Sequence, residues 1–245
     1  MAKMAKMLLP IGLTIATAGA TALPPVRPVE GEGSKKFRDP MGRHQIFHGV
    51  NAISKGVPFV PDTETFSADI SMTREDFEIM QSLGLNVVRL GVMWPGVEPT
   101  TMGVYNETYL DEIDKIVTMA SDHGIYTLLD MHQDDLSEQF CGEGIPSWAV
   151  RHTGDHQFLP GFPSPVGKTF TDSYSEPKMN NAAFPTRQDC ATHDWPGYYQ
   201  AKDEANAWEA LYKNVDGMAE QWGKMWAHVA ARFKGRTVCV HCVSG

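Results

Sequence analysis

Short apolar runs alternate along this chain with stretches of helical period, and the two kinds of junction between them differ. Asn86–Val92 carries Val87, Val88, Leu90 and Val92, and Ile125–His132 is nearly as apolar. Such runs suit strands buried on both faces of a parallel sheet. His44–Asn51 is an earlier strand candidate. Phe77, Met80 and Leu83 mark one face of a helix predicted over Thr73–Leu83, capped by Thr73 with Asp76 three residues on. Leu110, Ile113, Ile116, Val117 and Ala120 mark a second helix over Asn106–His123. Gly84 and Gly124 stop these helices and leave tight turns into the next strand. Segments that follow strands are instead long and rich in Trp, Pro, Glu and His. Alternation with that asymmetry predicts an α/β fold, a (β/α)8 TIM barrel represented by about its first three to four units, with the site on the loops after the strands. A doubly wound open sheet shares the alternation. It binds nucleotides through a glycine-rich first turn, and no G-x-G-x-x-G follows any strand here.

The ends read differently. Lys3 and Lys6 precede an apolar stretch from Met7 to Ala18, and Ala18-Gly19-Ala20 and Ala20-Thr21-Ala22 both fit a cleavage site. Residues 1–22 are therefore expected to be a secretory signal peptide, the apolar run being short for a membrane anchor. Residues 23–43, rich in Pro, Gly and charge, read as a leader before the domain. Residues 133–202 lack periodicity but are rich in aromatics. Asp203–Phe233 reads as one long amphipathic helix, broken near Gly217 or Gly223. Export brings the cysteines into play: Cys141 and Cys190 flank the aperiodic region and are candidates for a disulfide, two free thiols being the alternative. Asn106-Glu107-Thr108 is a glycosylation sequon. The net charge of −9 is spread along the chain, which argues against nucleic acid and gives no basic patch for anionic lipid. Histidines are scattered without H-E-x-x-H or comparable spacing, and Cys239-Val240-His241-Cys242 has no second ligand pair. No metal or cofactor is expected.

The strand ends carry motifs. They read Gly49-Val50-Asn51, then Asn-Val-Val-Arg-Leu-Gly-Val-Met-Trp-Pro-Gly-Val-Glu-Pro over 86–99, then Leu129-Asp130-Met131-His132-Gln133-Asp134, followed by Cys141-Gly142-Glu143-Gly144-Ile145-Pro146-Ser147-Trp148. This pattern resembles glycoside hydrolase family five, and within it the endoglycoceramidase branch, over about residues 45–235. The resemblance implies a retaining glycosidase that cleaves the β-glycosidic bond between oligosaccharide and ceramide in glycosphingolipids. A related β-glucosidase, glucosylceramidase or glucanase, and a non-catalytic glycan-binding fragment, are the alternatives. It gives Arg89 the role of supporting a nucleophilic carboxylate, and His132 that of holding sugar hydroxyls beside the scissile bond. Lys55 matches a sugar-contacting lysine of the branch. On physical grounds Arg89, a cation in an apolar strand, needs a buried partner, which an ordinary structural carboxylate also satisfies. Asp134 suits two adjacent sugar hydroxyls, or merely caps its loop. His132 reads also as a satisfied core histidine, and Lys55 as a solvated surface lysine. Trp94 and Trp148 read as packing residues, and Trp195 as packing or sugar-stacking.

Retaining glycosidases need two carboxyl groups about 5–5.5 Å apart. The resemblance puts both on Glu after the fourth and seventh barrel strands, the first in an Asn-Glu-Pro context. No Asn-Glu-Pro occurs in this sequence, and Glu98, Glu138 and Glu143 match neither position. Residues 236–245 look unlike the family and are set apart as a divergent tail. The expectation is a front portion, residues 44–235, without its catalytic pair and inactive alone. A lipid substrate would bring it to a membrane surface peripherally.

Overall fold

A computed structural model describes residues 23–29, 36–151, 153, 198–199, 202–236 and 238–241. In chain order the elements are β1 (Arg27–Pro28), β2 (Phe37–Arg38), β3 (His44–Gln45), β4 (Gly49–Ala52), α1 (Arg74–Ser82), β5 (Val87–Gly91), α2 (Trp94–Val97), α3 (Glu107–Asp122), β6 (Tyr126–Asp130), α4 (Lys202–Tyr212), α5 (Met218–Arg232) and β7 (Val238–His241). Strands β4 to β7 form one parallel sheet in sequence order. Winding in one direction, without the reversal of order that marks a doubly wound sheet, makes this the partial (β/α) barrel expected.

The periodicities decide what each face buries. Val88 and Leu90 on β5 and Leu129 on β6 are fully buried and join one core with Phe77 and Met80 of α1 and Leu110, Ile113, Ile116 and Ala120 of α3. Arg89, Leu128 and Asp130 share the opposite face, since Arg89 is in register with Leu128 and Gly91 with Asp130. Both helices that lead into a strand end alike. Leu85 N–H reaches back to Met80 C=O and Gly84 N–H to Gln81 C=O; Ile125 and Gly124 repeat this on Ala120 and Ser121. These are Schellman stops, with Gly84 and Gly124 left-handed at φ 74°. At the start of α1, the Asp76 carboxylate accepts from the Thr73 N–H at 2.6 Å and from the Ser71 hydroxyl at 2.8 Å, the acidic half of the capping box read from the sequence.

Four expectations change in detail. His44–Asn51 is not one strand: β3 belongs to a small antiparallel sheet and β4 to the parallel one. Between them the Asn86 side chain takes the strand-like bonds, donating to Ile46 C=O and accepting from His48 N–H, both at 2.8 Å. The segment read as a leader supplies β1 and β2; β1 pairs with β2, and β2 pairs with β3 across the boundary placed at residue 43. Phe37 packs edge-on against Phe47, and Phe47 against Tyr126. The Tyr126 hydroxyl also donates to Pro24 C=O at 2.8 Å. This sheet therefore rests at the start of β6. Asp203–Phe233 is two helices, parted where Asn214, Asp216 and Gly217 take positive φ, so the break falls at Gly217 and not at Gly223. The tail at 236–245 carries β7, which pairs with Thr127–Asp130. Among the described residues no helix is long and apolar enough to cross a membrane. The signal-peptide reading of residues 1–22 lies outside the described residues.

Candidate active site

The site gathers where β5 and β6 end. Asp130, the last residue of β6, is fully buried, and its Oδ2 lies 2.7 Å from Arg89 Nη2 and 3.5 Å from His132 Nδ1. Among the described residues neither Asp130 oxygen accepts a geometric hydrogen bond, so its carboxylate acts as a charge between the Arg89 guanidinium and the His132 ring. From the other ring nitrogen, His132 Nε2 meets Asp134 Oδ2 at 3.2 Å. Lys55, three residues past β4, brings its ammonium onto the same oxygen. Tyr199 donates its hydroxyl to Asp134 Oδ1 at 3.1 Å. Four of the residues singled out in the sequence, Lys55, Arg89, His132 and Asp134, thus meet in one network. Arg89 and His132 lie on the same side of the sheet through their common partner. Among the described residues the carboxylate that neutralises Arg89 is Asp130, the structural partner allowed for in the sequence.

Sequence reasoning missed Glu143. Its N–H and C=O bond reciprocally with those of Asp134, at 2.8 and 2.7 Å, which holds the two carboxylates side by side. The fit requires glycine beside it: a Cβ at residue 142 would stand 1.9 Å from Asp134 C=O. The Cys-Gly-Glu-Gly motif therefore encodes a close approach of two backbones. Glu143 Oε1 lies 3.8 Å from Lys55 Nζ. Tyr199, also missed, comes from the end of the aperiodic region.

Electrostatics follow from this crowding. Both His132 nitrogens face carboxylates, so the contact with Asp130 first, and then Asp134, raises its pKa against the opposing effect of burial. Burial alone would raise Asp134, but Lys55, Tyr199 and His132 outweigh it and hold the carboxyl below its usual range. Lys55 is raised: burial opposes, and Asp134 and Glu143 prevail. Burial pushes Glu143 up to about 7, and burial with the Asp134 charge does the same to Asp135. An ionised Asp134 beside a carboxyl that titrates near neutrality offers acceptors and a donor together, which suits sugar hydroxyls. His132, Asp134 and Glu143 bring ligand atoms within 4.8 Å of one another, a spacing metal ions use. Here the Lys55 ammonium already supplies the cation among them. A cavity of about 790 Å3 opens beside Lys55, walled by the 54–64 loop, Asn106 and Tyr109. It includes neither Arg89 nor His132, so the polar network marks the site and the cavity does not.

The Trp-Pro-Gly-Val-Glu run has a separate task. Glu98 is fully buried and accepts from Trp94 Nε1 and Gln221 Nε2, both at 2.6 Å, and from Gly103 N–H at 2.7 Å. Trp148 Nε1 donates to its carbonyl at 2.8 Å, and the Trp94 and Trp148 rings meet edge-on. Trp94 is fully buried and so packs, with no face left for a sugar.

Residues 51–182, more than half of the chain, match the family model of cellulase (glycosyl hydrolase family 5). The chain belongs to glycosyl hydrolase family 5. Within it, the chain is 43% identical over 201 residues to the endoglycoceramidase of Cyanea nozakii, covering 82% of this chain and 38% of that protein. It is 42% identical over 196 residues to the endoglycoceramidase of Hydra vulgaris, covering 80% and 36%. Among solved structures, endo-glycoceramidase II from Rhodococcus sp. in complex with ganglioside GM3 superimposes with a TM-score of 0.56 at 26% identity, over 82% of this chain and 40% of that one. The chain spans about two fifths of the length of the relatives it matches.

Asn106 and Cys141, the other described candidates of this family 5 chain, stand outside the network. Asn106 is the N-cap of α3, its side-chain oxygen accepting from Tyr109 N–H at 3.2 Å. Cys141 is disulfide-bonded. Its expected partner Cys190, and the sugar-stacking candidate Trp195, lie outside the described residues.

Proposed function

We propose that this chain forms the sugar-holding front of a secreted retaining glycosidase that cleaves the bond between oligosaccharide and ceramide in glycosphingolipids. The observation that carries this reading is the meeting of Lys55, Arg89, His132 and Asp134, drawn from three neighbouring parallel strands and the loops that follow them, in one polar network. Similarity to endoglycoceramidases supports the substrate class, as do the related structures of endo-glycoceramidase II as a lactosyl-enzyme intermediate and as a ganglioside GM3 complex. In this reading Asp134 and His132 hold sugar hydroxyls, Lys55 donates to a hydroxyl oxygen, and Arg89 stands ready beside the nucleophile. The chemistry is double displacement: one Glu attacks the anomeric carbon and the other protonates the departing ceramide oxygen, then activates water.

Two measurements test this. Transcript sequencing across the Gly235 codon should reveal an in-frame product containing Asn-Glu-Pro. That product should release lactose from lactosylceramide, and Asp134→Ala should lower its turnover about a hundredfold. Equal turnover with and without Asp134 would sink the site assignment. A second reading, a glycan-binding protein that never cleaves, draws on the same meeting of Lys55, His132 and Asp134, and it predicts no hydrolytic product at all. Preference for glucosylceramide, a steryl glucoside or a β-glucan over lactosylceramide would move the substrate within the family. The signal sequence and the disulfide at Cys141 support export to the secretory or lysosomal lumen. The sequon at Asn106 is then a glycan site, checked by a mobility shift on deglycosylation.

A further inference from the structure

The carboxylate that sugar recognition would use is already occupied. Asp134 Oδ1 accepts from the Tyr199 hydroxyl, and Oδ2 takes both His132 Nε2 and the Lys55 ammonium. A sugar hydroxyl can donate to Asp134 only if one of these donors withdraws, and they differ in freedom. Tyr199 is tied through its backbone N–H to Asp135, and His132 is held between two carboxylates. Lys55 has a flexible stem and a side chain 56% exposed. It also has a second acceptor close by. Glu143 Oε1 lies 3.8 Å from its Nζ, on a side chain only 7% exposed, and accepts no hydrogen bond among the described residues. A buried carboxyl oxygen without a donor is costly.

We propose that Lys55 is a two-position ammonium with Glu143 as its second berth: a sugar hydroxyl arriving at Asp134 displaces the ammonium onto Glu143, which makes Glu143 a positioning residue of the sugar site. The proposal rests on the sugar-site reading above. The shift is about 1 Å, from the present separation to hydrogen-bond length. The reciprocal backbone bonds between Asp134 and Glu143 keep the two acceptors at fixed spacing while the ammonium moves. No charge enters or leaves, so the exchange suits a neutral sugar with adjacent hydroxyls, one donating to Asp134 and its neighbour within reach of Lys55.

The charged and titratable groups facing Glu143 are Lys55, Asp134, His132 and Asp135, and burial sets its titration at about 7. The ionised form is the better host for an ammonium, so sugar affinity should rise with pH through neutrality. Calorimetry of the 245-residue chain with lactose, from about pH 6 to about pH 8, reads this directly. Wild type should bind several-fold more tightly at the upper end. Glu143→Gln should bind about tenfold more weakly there and lose the Glu143 limb of the profile. Glu143→Asp, which keeps the charge but withdraws it, should fall between, with thermal melts reporting that each variant is folded. Wild-type affinity and profile in both variants, with Asp134→Ala still abolishing binding, would remove the role of Glu143 and leave the sugar site standing. Wild-type chain that is folded yet indifferent to lactose would remove the sugar site, and this proposal with it.

Discussion

At the scale of single residues, the site turns on Asp130. Among the described residues it is the one carboxylate that touches both Arg89 and His132, and it does so from a fully buried position. Its contact is the first cause of the raised His132 pKa. Asp130→Asn should therefore lower the His132 titration midpoint, which imidazole NMR resonances followed against pH will report. The same change strands the Arg89 charge. Because Arg89 is about one-third exposed, the loss should be about 2 kcal/mol in denaturant melts, below that of a wholly buried pair. An unchanged His132 midpoint would mean that Asp134 alone governs it. Arg89 and His132 were legible in the sequence because a cation inside an apolar strand and a histidine at a strand end are conspicuous. Asp130 was not singled out, since one acidic residue closing a strand looks ordinary until its neighbours are placed around it.

At the scale of elements, local sequence rules and close approach divide the work. The Schellman stops after α1 and α3 and the Asp76 contacts at the start of α1 depend on neighbours within six residues, and each was legible before any coordinates. The turn that presents Glu143 is different. Its glycine at 142 is needed because Asp134, eight residues earlier, passes against it. Gly142→Ala should force these backbones apart, destabilise the chain by about 2 kcal/mol and weaken lactose binding more than its effect on stability accounts for. A melt and a titration at one temperature check both parts. The split of the predicted strand at His44–Asn51 has the same origin. Asn86, well separated in sequence, takes the backbone bonds of Ile46 and His48 that a continuous strand would have made.

Across the whole molecule, buried acids set the pH response. Burial raises Glu204 to about 8, and Asp135 and Glu143 to about 7. A carboxyl with a raised folded pKa ionises first in the unfolded chain, so stability begins to fall above the unfolded value near about 4 and the loss is complete beyond the folded value. The raised pKa of His132 acts in the same direction: its contribution is full below about 6.5 and is lost as pH climbs through the folded value. Asp134, held low, withdraws its contribution only when pH falls through its depressed value. Stability should thus peak on the acid side of neutrality, with Tm several degrees lower at about pH 8.5 than at about pH 5.5. Glu204→Gln should flatten the alkaline part of that slope. A Tm that rises with pH over this range would contradict the burial of these groups.

The sequence by itself determined the alternation of strand and helix, the helix stops, the choice of a one-way barrel over a doubly wound sheet, and the polar residues to examine beside the strand ends. All of these rest on periodicity, on turn chemistry between near neighbours, or on motifs at strand ends. Tertiary structure alone decided that Lys55, Arg89, His132 and Asp134 share one network, that Glu143 lies within reach of the ammonium, and that Trp94 is sealed against Glu98. It also decided that residues 23–43 and 236–245 contribute strands. Burial, pairing and pKa depend on distances between segments far apart in the chain, and no local pattern of residues encodes a distance of that kind.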